Sequence, residues 1–243
     1  MGLQSRINPK RSLGQNFFNN EKLAKKIVRI VLESNPEHIT EIGPGKGAFT
    51  KAFYDTTDKI TLVEKDSHLA RHLRDTLPKA DIHNIDFLDF KLSQNNTTFF
   101  GSLPFNVSDE IIEKIIKSNA FTNPAYFIIQ KEVAEKYRNR ENNLLGLIAE
   151  IYADTKILFD IKAGNFKPRP NVDASFIKFT PHSRYSEINK EELEKLIKRA
   201  FRQPRKTLKN NLKGYSYTIP NELERKRPHE LSLDMYISIL QAS

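Results

Sequence analysis

Three glycines at alternate positions, Gly43, Gly45 and Gly47, stand between a strand-like run, His38-Ile-Thr-Glu-Ile42, and a helix-like run from about Lys46 to Tyr54. Glycine at every second place lets the backbone itself approach a ligand, because a Cβ there would hold the ligand off or forbid the turn. The helix that follows is expected to aim its free N–H groups at whatever sits there. About twenty residues on, Glu64 ends the next strand-like run, Lys59-Ile-Thr-Leu-Val-Glu64, where a β-α-β unit places a ribose-binding carboxylate. Strand, glycines, helix, strand and terminal Glu in that order predict a nucleoside-type cofactor site. The spacing is G-x-G-x-G, and no G-x-x-x-x-G-K-[ST] can be written, which excludes a P-loop.

Two more strand ends bring chemistry to the same edge. Asp86, followed by Phe87, comes after the run Ala80–Ile85, and its carboxylate can accept a hydrogen bond from the amino group of an adenine. Ser102-Leu103-Pro104-Phe105 follows the run Thr97-Thr-Phe-Phe100. Proline fixes the chain and has no N–H to compete, so nearby carbonyls are held toward a cleft. An aromatic directly after it can stack on a flat ring. A planar ring amine is a poor nucleophile because its lone pair is delocalised. Acceptors at Ser102 and the Leu103 carbonyl, aimed at its hydrogens, would turn that lone pair onto an electrophile. His68 and His72 share a helix face at i,i+4 but lack the Glu of H-E-x-x-H or a third ligand; they read as surface histidines, and no metal is expected.

The elements that must position these residues alternate along the chain. Asn19 or Asn20 caps a helix to about Leu32, Asp66 caps one to Leu77, and Ser108 opens another to Ser118 with Ile111, Ile112, Ile115 and Ile116 on its buried side. A fifth strand, Pro124–Ile129, precedes helices from Lys131 to about residue 140 and from Leu144 to Ala153. Late strands Lys156–Ile161 and Ala174–Phe179 flank a Pro-rich loop and suggest an antiparallel addition at one edge. The expected fold is α/β and Rossmann-like, a mostly parallel sheet with helices on both faces, which binds ligands beyond the carboxyl ends of its strands. Near Pro181 the alternation stops, and only helices follow, at 190–202, 205–213 and after Ser232. This predicts a first domain over residues 1–182 and a small all-α domain over 183–243.

The net charge of +9 is unevenly placed. Residues 1–26 carry six Lys/Arg against one acid and residues 183–243 thirteen against eight, so the middle is close to neutral. Basic flanks around a neutral core are the electrostatic footprint of a polyanion partner. Lys10 and Arg11 at one end, and Arg202, Arg205, Lys206 and Lys209 at the other, are the expected phosphate contacts. No apolar run approaches the ~20 residues that span a bilayer, and the N-terminus lacks the apolar segment of a secretory signal. The absence of cysteine excludes disulfides and thiolate metal sites. A cytoplasmic, monomeric protein is expected, without a membrane.

Strand–E-x-G-x-G-x-G, a strand-end acid, an Asp and a [N/D/S]-x-P-[Y/F] step resemble the plan of S-adenosylmethionine-dependent amino-methyltransferases. More narrowly, the chain resembles the KsgA/Erm family of ribosomal RNA adenine N6,N6-dimethyltransferases. Gly14-Gln-Asn-Phe-Phe18 is similar to that family's Q-N-F-L opening, Gln130-Lys-Glu-Val-Ala-Glu135 to its Q-K-E-V-A segment, and Phe166-Lys-Pro-Arg-Pro-Asn-Val-Asp173 to F-x-P-x-P-x-V-D. Phe201-Arg-Gln-Pro-Arg-Lys-Thr-Leu208 resembles F-x-x-R-R-K-T, and Arg227-Pro-His-Glu-Leu-Ser-Leu-Asp-Met-Tyr236 resembles R-P-E-x-L-S-x-x-x-[YF]. The resemblance implies S-adenosylmethionine contacts at Gln15, Asn16, Phe18, Gly43, Gly45, Gly47, Glu64, Lys65, Asp86, Phe87 and Ser102. It implies in-line methyl transfer to N6 of a flipped adenine held at Ser102, Leu103, Pro104 and Phe105, with S-adenosylhomocysteine as product. The last segments favour small-subunit rRNA in an immature ribosomal particle as substrate. An Erm-type enzyme acting on large-subunit rRNA shares every cofactor residue, and a non-catalytic nucleic-acid-binding relative of the same fold is the alternative of another class. The family usually has Asn where this chain has Ser102. Serine is shorter and lacks the amide's geometry, so the departure bears on how the target N6 is oriented and not on the cofactor.

Overall fold

A computed structural model of the chain describes residues 15–57, 59–93, 96–139 and 143–243, so Lys10 and Arg11 lie outside the described residues. The elements in order are β1 (Phe17–Phe18), α1 (Glu21–Leu32), β2 (His38–Ile42), α2 (Thr50–Tyr54), β3 (Ile60–Val63), α3 (Ser67–Thr76), β4 (Asp81–His83), β5 (Thr97–Ser102), α4 (Ser108–Ile116), β6 (Ala125–Gln130), α5 (Lys131–Arg138), α6 (Leu144–Tyr152), β7 (Ala153–Ile161), β8 (Phe166–Lys167), β9 (Ala174–Pro181), α7 (Lys190–Ala200), α8 (Leu208–Leu212) and α9 (Leu233–Gln241). Two compact units result: Met1–Lys131 with Ile157–Thr180, and Glu132–Lys156 with Pro181–Ser243.

The first unit is built on a sheet of order β4-β3-β2-β5-β6-β9-β7. From β4 to β6 every neighbouring pair is parallel, and β9 joins β6 antiparallel. β3 reads Ile-Thr-Leu-Val and is buried throughout, as a strand covered on both faces must be. From β2 the chain winds outward to β3 and β4, then returns to β5 on the other side. The strand order therefore reverses between β2 and β5, which opens a crevice at their carboxyl ends. Gly101 lets the two strands close there: a Cβ on it would lie 2.9 Å from the Ile42 carbonyl oxygen.

The helix after the glycines begins at Thr50 and not near Lys46. Gly43, Gly45 and Gly47 have φ of 62°, 58° and 77°, so the chain makes successive tight turns, one closed by Gly47 N–H to the Pro44 carbonyl at 2.9 Å. A right-handed helix can start only beyond the last left-handed residue. The caps read from sequence are present, with Asn20 Oδ1 accepting from Leu23 N–H at 3.0 Å and Asp66 Oδ1 from His68 N–H at 2.9 Å. Among the described residues no helix is long and apolar enough to cross a membrane.

The second unit is helical and has its own core. Leu147, Ile148 and Ile151 of α6 share it with Leu193, Leu196 and Ile197 of α7 and Tyr236 of α9. This is why Glu132–Lys156 group with the C-terminal helices, although the sequence expectation placed them in a first domain ending at residue 182. α6 is apolar almost all round, and such a helix needs burial on more than one side.

A cleft at the carboxyl ends of the sheet

The crevice between β2 and β5 opens into a cleft lined by residues from several chain segments of the first unit. The glycine loop supplies Gly43 and Gly45, the end of β3 supplies Glu64 and Lys65, and the turn after β4 supplies Asp86 and Phe87. The end of β5 supplies Ser102 to Phe105, and Gln15, Asn16 and Phe17 come from the N-terminal segment. That segment is fixed by β1, which pairs antiparallel with β8 (Phe17 opposite Lys167, Phe18 opposite Phe166), and by Asn19 N–H to the Asn165 carbonyl at 2.7 Å.

Glu64 organises the ligand side. It is buried, with Oε2 accepting from Gly45 N–H at 3.0 Å and Oε1 from Asp66 N–H at 2.8 Å. The Gly45 N–H of the glycine loop is thus spent on Glu64, while the carboxylate keeps acceptor capacity for hydroxyl donors. Burial pushes the Glu64 carboxyl above its ordinary pKa, against the backbone N–H groups of Asp66, Gly45 and Lys65. Glu41, at the end of β2, is more deeply buried and has one oxygen without a hydrogen-bond partner; burial, with a smaller push from Glu64, takes it up to about 8. Burial thus favours the neutral form of Glu41.

Asp86 Oδ2 accepts from Lys65 Nζ at 2.6 Å and Oδ1 from Leu88 N–H at 3.0 Å. Burial raises its pKa, but the Lys65 and Leu88 bonds, together with the charges of Lys65 and Lys114, outweigh that and hold it below the ordinary value. The turn carrying Asp86 and Phe87 is clamped from α4, where Lys114 Nζ donates to the carbonyls of Phe87, Leu88 and Phe90 at 2.9, 2.6 and 2.7 Å. The same ammonium lies 5.4 Å from the centre of the Phe87 ring. Lys114→Met keeps the stem and removes all three bonds. It is expected to weaken binding of a nucleoside at Asp86 and Phe87 about ten-fold, read by titration calorimetry; unchanged affinity would mean that the turn holds without the clamp.

On the β5 side, Leu103 N–H is bonded to the Ile128 carbonyl at 3.0 Å, and the Val107 N–H closes a turn on the Pro104 carbonyl at 3.3 Å. Phe105 and Ser102 are half-buried. Among those residues no cluster of three His, Asp or Glu could hold a metal ion.

Phe18 and Gly47 are not part of the lining. Phe18 turns into the core, its ring 4.6 Å from Phe49 and 5.3 Å from Phe166, and Phe17 takes the cleft wall beneath Gly45. Neighbours on a strand point to opposite faces, so only one of the pair can face the cleft. Gly47 packs against Leu73 of α3. The basic residues Arg202, Arg205, Lys206 and Lys209 lie in the second unit, all exposed, with Lys209 paired to Glu224 at 2.8 Å. Asn211 of α8 holds this basic turn, donating to the carbonyls of Gln203, Lys206 and Thr207 at 3.1 to 3.2 Å and accepting from Gln203 N–H at 3.1 Å.

Residues 6–239 match the family model described as ribosomal RNA adenine dimethylase. The chain is 37% identical to "Ribosomal RNA small subunit methyltransferase A" of Malacoplasma penetrans over 84% of this chain and 78% of that protein. It is 32% identical to the protein of the same name from Fusobacterium nucleatum over 96% of each. Among solved structures, a dimethyladenosine transferase from Plasmodium falciparum superposes with a TM-score of 0.80 at 18% identity, covering 93% of this chain and 96% of that one. The 23S rRNA methyltransferase ErmE does so at 0.73 and 19%, covering 93% and 99%. These two share the α/β fold of the chain.

Proposed function

The chain belongs to the ribosomal RNA adenine dimethylase family, and on that premise we propose that it is an S-adenosylmethionine-dependent enzyme that dimethylates adenine N6 in small-subunit rRNA. The observation that carries this reading is the meeting of Glu64, Asp86 and the Ser102–Phe105 step in one cleft at the reversal of strand order. The donor set fits the nucleoside part of S-adenosylmethionine. Open space lies where a Gly43 Cβ would stand, Glu64 has acceptor capacity left for two ribose hydroxyls, and Asp86 is ionised beside Phe87 for an adenine. Gln15, Asn16, Gly43, Gly45, Glu64, Asp86 and Phe87 would hold it, and when bound it supplies an electrophilic methyl on a sulfonium.

Phe105 stacks on the extruded target base, and Ser102 Oγ and the Leu103 carbonyl accept the N6 hydrogens and so turn the nitrogen lone pair toward the methyl. Rate comes from proximity and orientation. A protonated, methylated amine gives its proton to water, so neither a strong general base nor a metal is assigned. The assignment to the small subunit rests on relatives of that name at 30–37% identity, whereas the likeness to ErmE is one of fold.

The test is transfer of labelled methyl from S-adenosylmethionine, with unmodified small subunits and protein-free large-subunit rRNA offered side by side. Dimethyladenosine in the small subunit is expected. Label in large-subunit RNA alone, or no label with the donor still bound, would sink the reading. We assign the second unit to RNA phosphates and the protein to immature particles, as a cytoplasmic monomer. RNA affinity should then fall steeply with salt, and Arg205→Ala should lower the log–log salt slope by about one; a flat salt dependence would remove the phosphate assignment.

A further inference from the structure

The second unit carries an aromatic–cation stack that the basic residues alone do not explain. The Arg199 guanidinium, in the last turn of α7, lies 4.4 Å from the centre of the Tyr215 ring and 5.7 Å from that of Tyr217. Its Nη1 donates to the Tyr217 hydroxyl at 2.6 Å, which fixes it against both rings. Tyr217 is half-buried, but Tyr215 is 38% exposed, one of three exposed large hydrophobic residues among those described. Tyr215 follows Gly214, whose φ of 86° turns the chain outward of α8, and exposed Lys213 precedes both. Arg202, whose N–H is bonded to the Arg199 carbonyl at 3.1 Å, begins the basic turn that Asn211 holds rigid.

A partly exposed tyrosine held by a fixed cation and by the neighbouring Tyr217 ring (centroids 6.3 Å apart), set among exposed basic residues, matches single-stranded nucleic acid in both charge and shape. Aromatic faces and guanidinium planes take unstacked bases, while neighbouring cations take the backbone. Tyr217 packs on the helical core, whereas Tyr215 is not among the residues packed there and keeps part of its ring exposed. We propose that Tyr215, supported by Arg199, is a platform on which one unpaired base of the RNA stacks, flanked by phosphates on Arg202, Arg205 and Lys206. The platform rests on the reading of this unit as an RNA face, and it adds to that reading a site for a single-stranded base of any identity, since every base offers a π-face.

The chain contains no tryptophan, so Tyr215→Trp gives it a single reporter. Titration with a short unstructured RNA should quench its emission with the same midpoint as an independent binding assay. Tyr215→Ala should weaken binding of that RNA about ten-fold with the salt slope unchanged, because no phosphate contact is lost, and Tyr215→Phe should bind as the parent does. Arg205→Ala combined with Lys206→Ala should lower affinity and slope together. A silent tryptophan and parental affinity in Tyr215→Ala, with the charge variants still impaired, would overturn the platform and leave the RNA face standing. Loss of slope along with affinity in Tyr215→Ala would also overturn it, since Tyr215 would then serve to hold the basic turn. If no variant changes binding, the RNA face itself is wrong.

Discussion

Phe105→Ala should lower methyl transfer at least about a hundred-fold while the dissociation constant for S-adenosylmethionine stays within about two-fold of the parent's. The separation follows from where the residues sit. Glu64 and Asp86 follow β3 and β4, on one side of the reversal in strand order, whereas Phe105 follows β5 on the other. Its ring is half-buried at the cleft wall, so its removal leaves the Glu64 and Lys114 bonds of the donor side untouched. Without a surface to stack on, the extruded base keeps its access but loses the orientation that brings N6 to the methyl. Phe105→Tyr, which preserves the ring, should retain most of the rate. Single-turnover kinetics with calorimetric donor binding decide the matter, and a parallel fall in both quantities would contradict the role given to Phe105.

How much of this was legible in the sequence depends on the range of the interactions. The glycine loop, the Asp66 and Asn20 caps, and the strand-end positions of Glu64 and Asp86 are local patterns, and each stands where its spacing put it. Propensity reads Lys46 and Ala48 as helix formers, whereas the left-handed glycines exclude a helix through Gly47, and α2 begins just beyond, at Thr50. The choice between Phe17 and Phe18 could not be made locally. It is set by pairing with Phe166–Lys167, nearly 150 residues away, in two-residue strands too short to show any period. The same holds for Lys114. On sequence it is one more charge on an amphipathic helix, and only the tertiary fold brings three backbone carbonyls to its ammonium. Arg199 and Tyr215 are likewise sixteen residues apart and meet only through the turn around α8.

Glu64→Gln should weaken S-adenosylmethionine at least about a hundred-fold, more than the loss of a charge at an exposed site would. Both Glu64 oxygens accept backbone N–H groups, from Gly45 and Asp66, and a glutamine can offer only one acceptor; its amide NH2 must face one of those donors. The substitution thus costs the charge-assisted bonds to two ribose hydroxyls, each worth about 1.5–3 kcal/mol, and also strains the glycine loop. The pH dependence separates the two contributions. Burial raises the Glu64 pKa, and hydroxyl donors favour the ionised carboxylate, so binding must release whatever proton Glu64 still carries. Donor affinity in the parent should accordingly rise with pH through a window above the ordinary carboxylate range and then level off, while Glu64→Gln should be weak and flat across it. Glu41, raised to about 8 by its own burial, lies outside the cleft lining, so it should add at most a shallow step of its own. Affinity in the parent that fell with rising pH across the first window would mean that the protonated acid is the binding form, and Glu64 would then donate to the nucleoside and not accept from it.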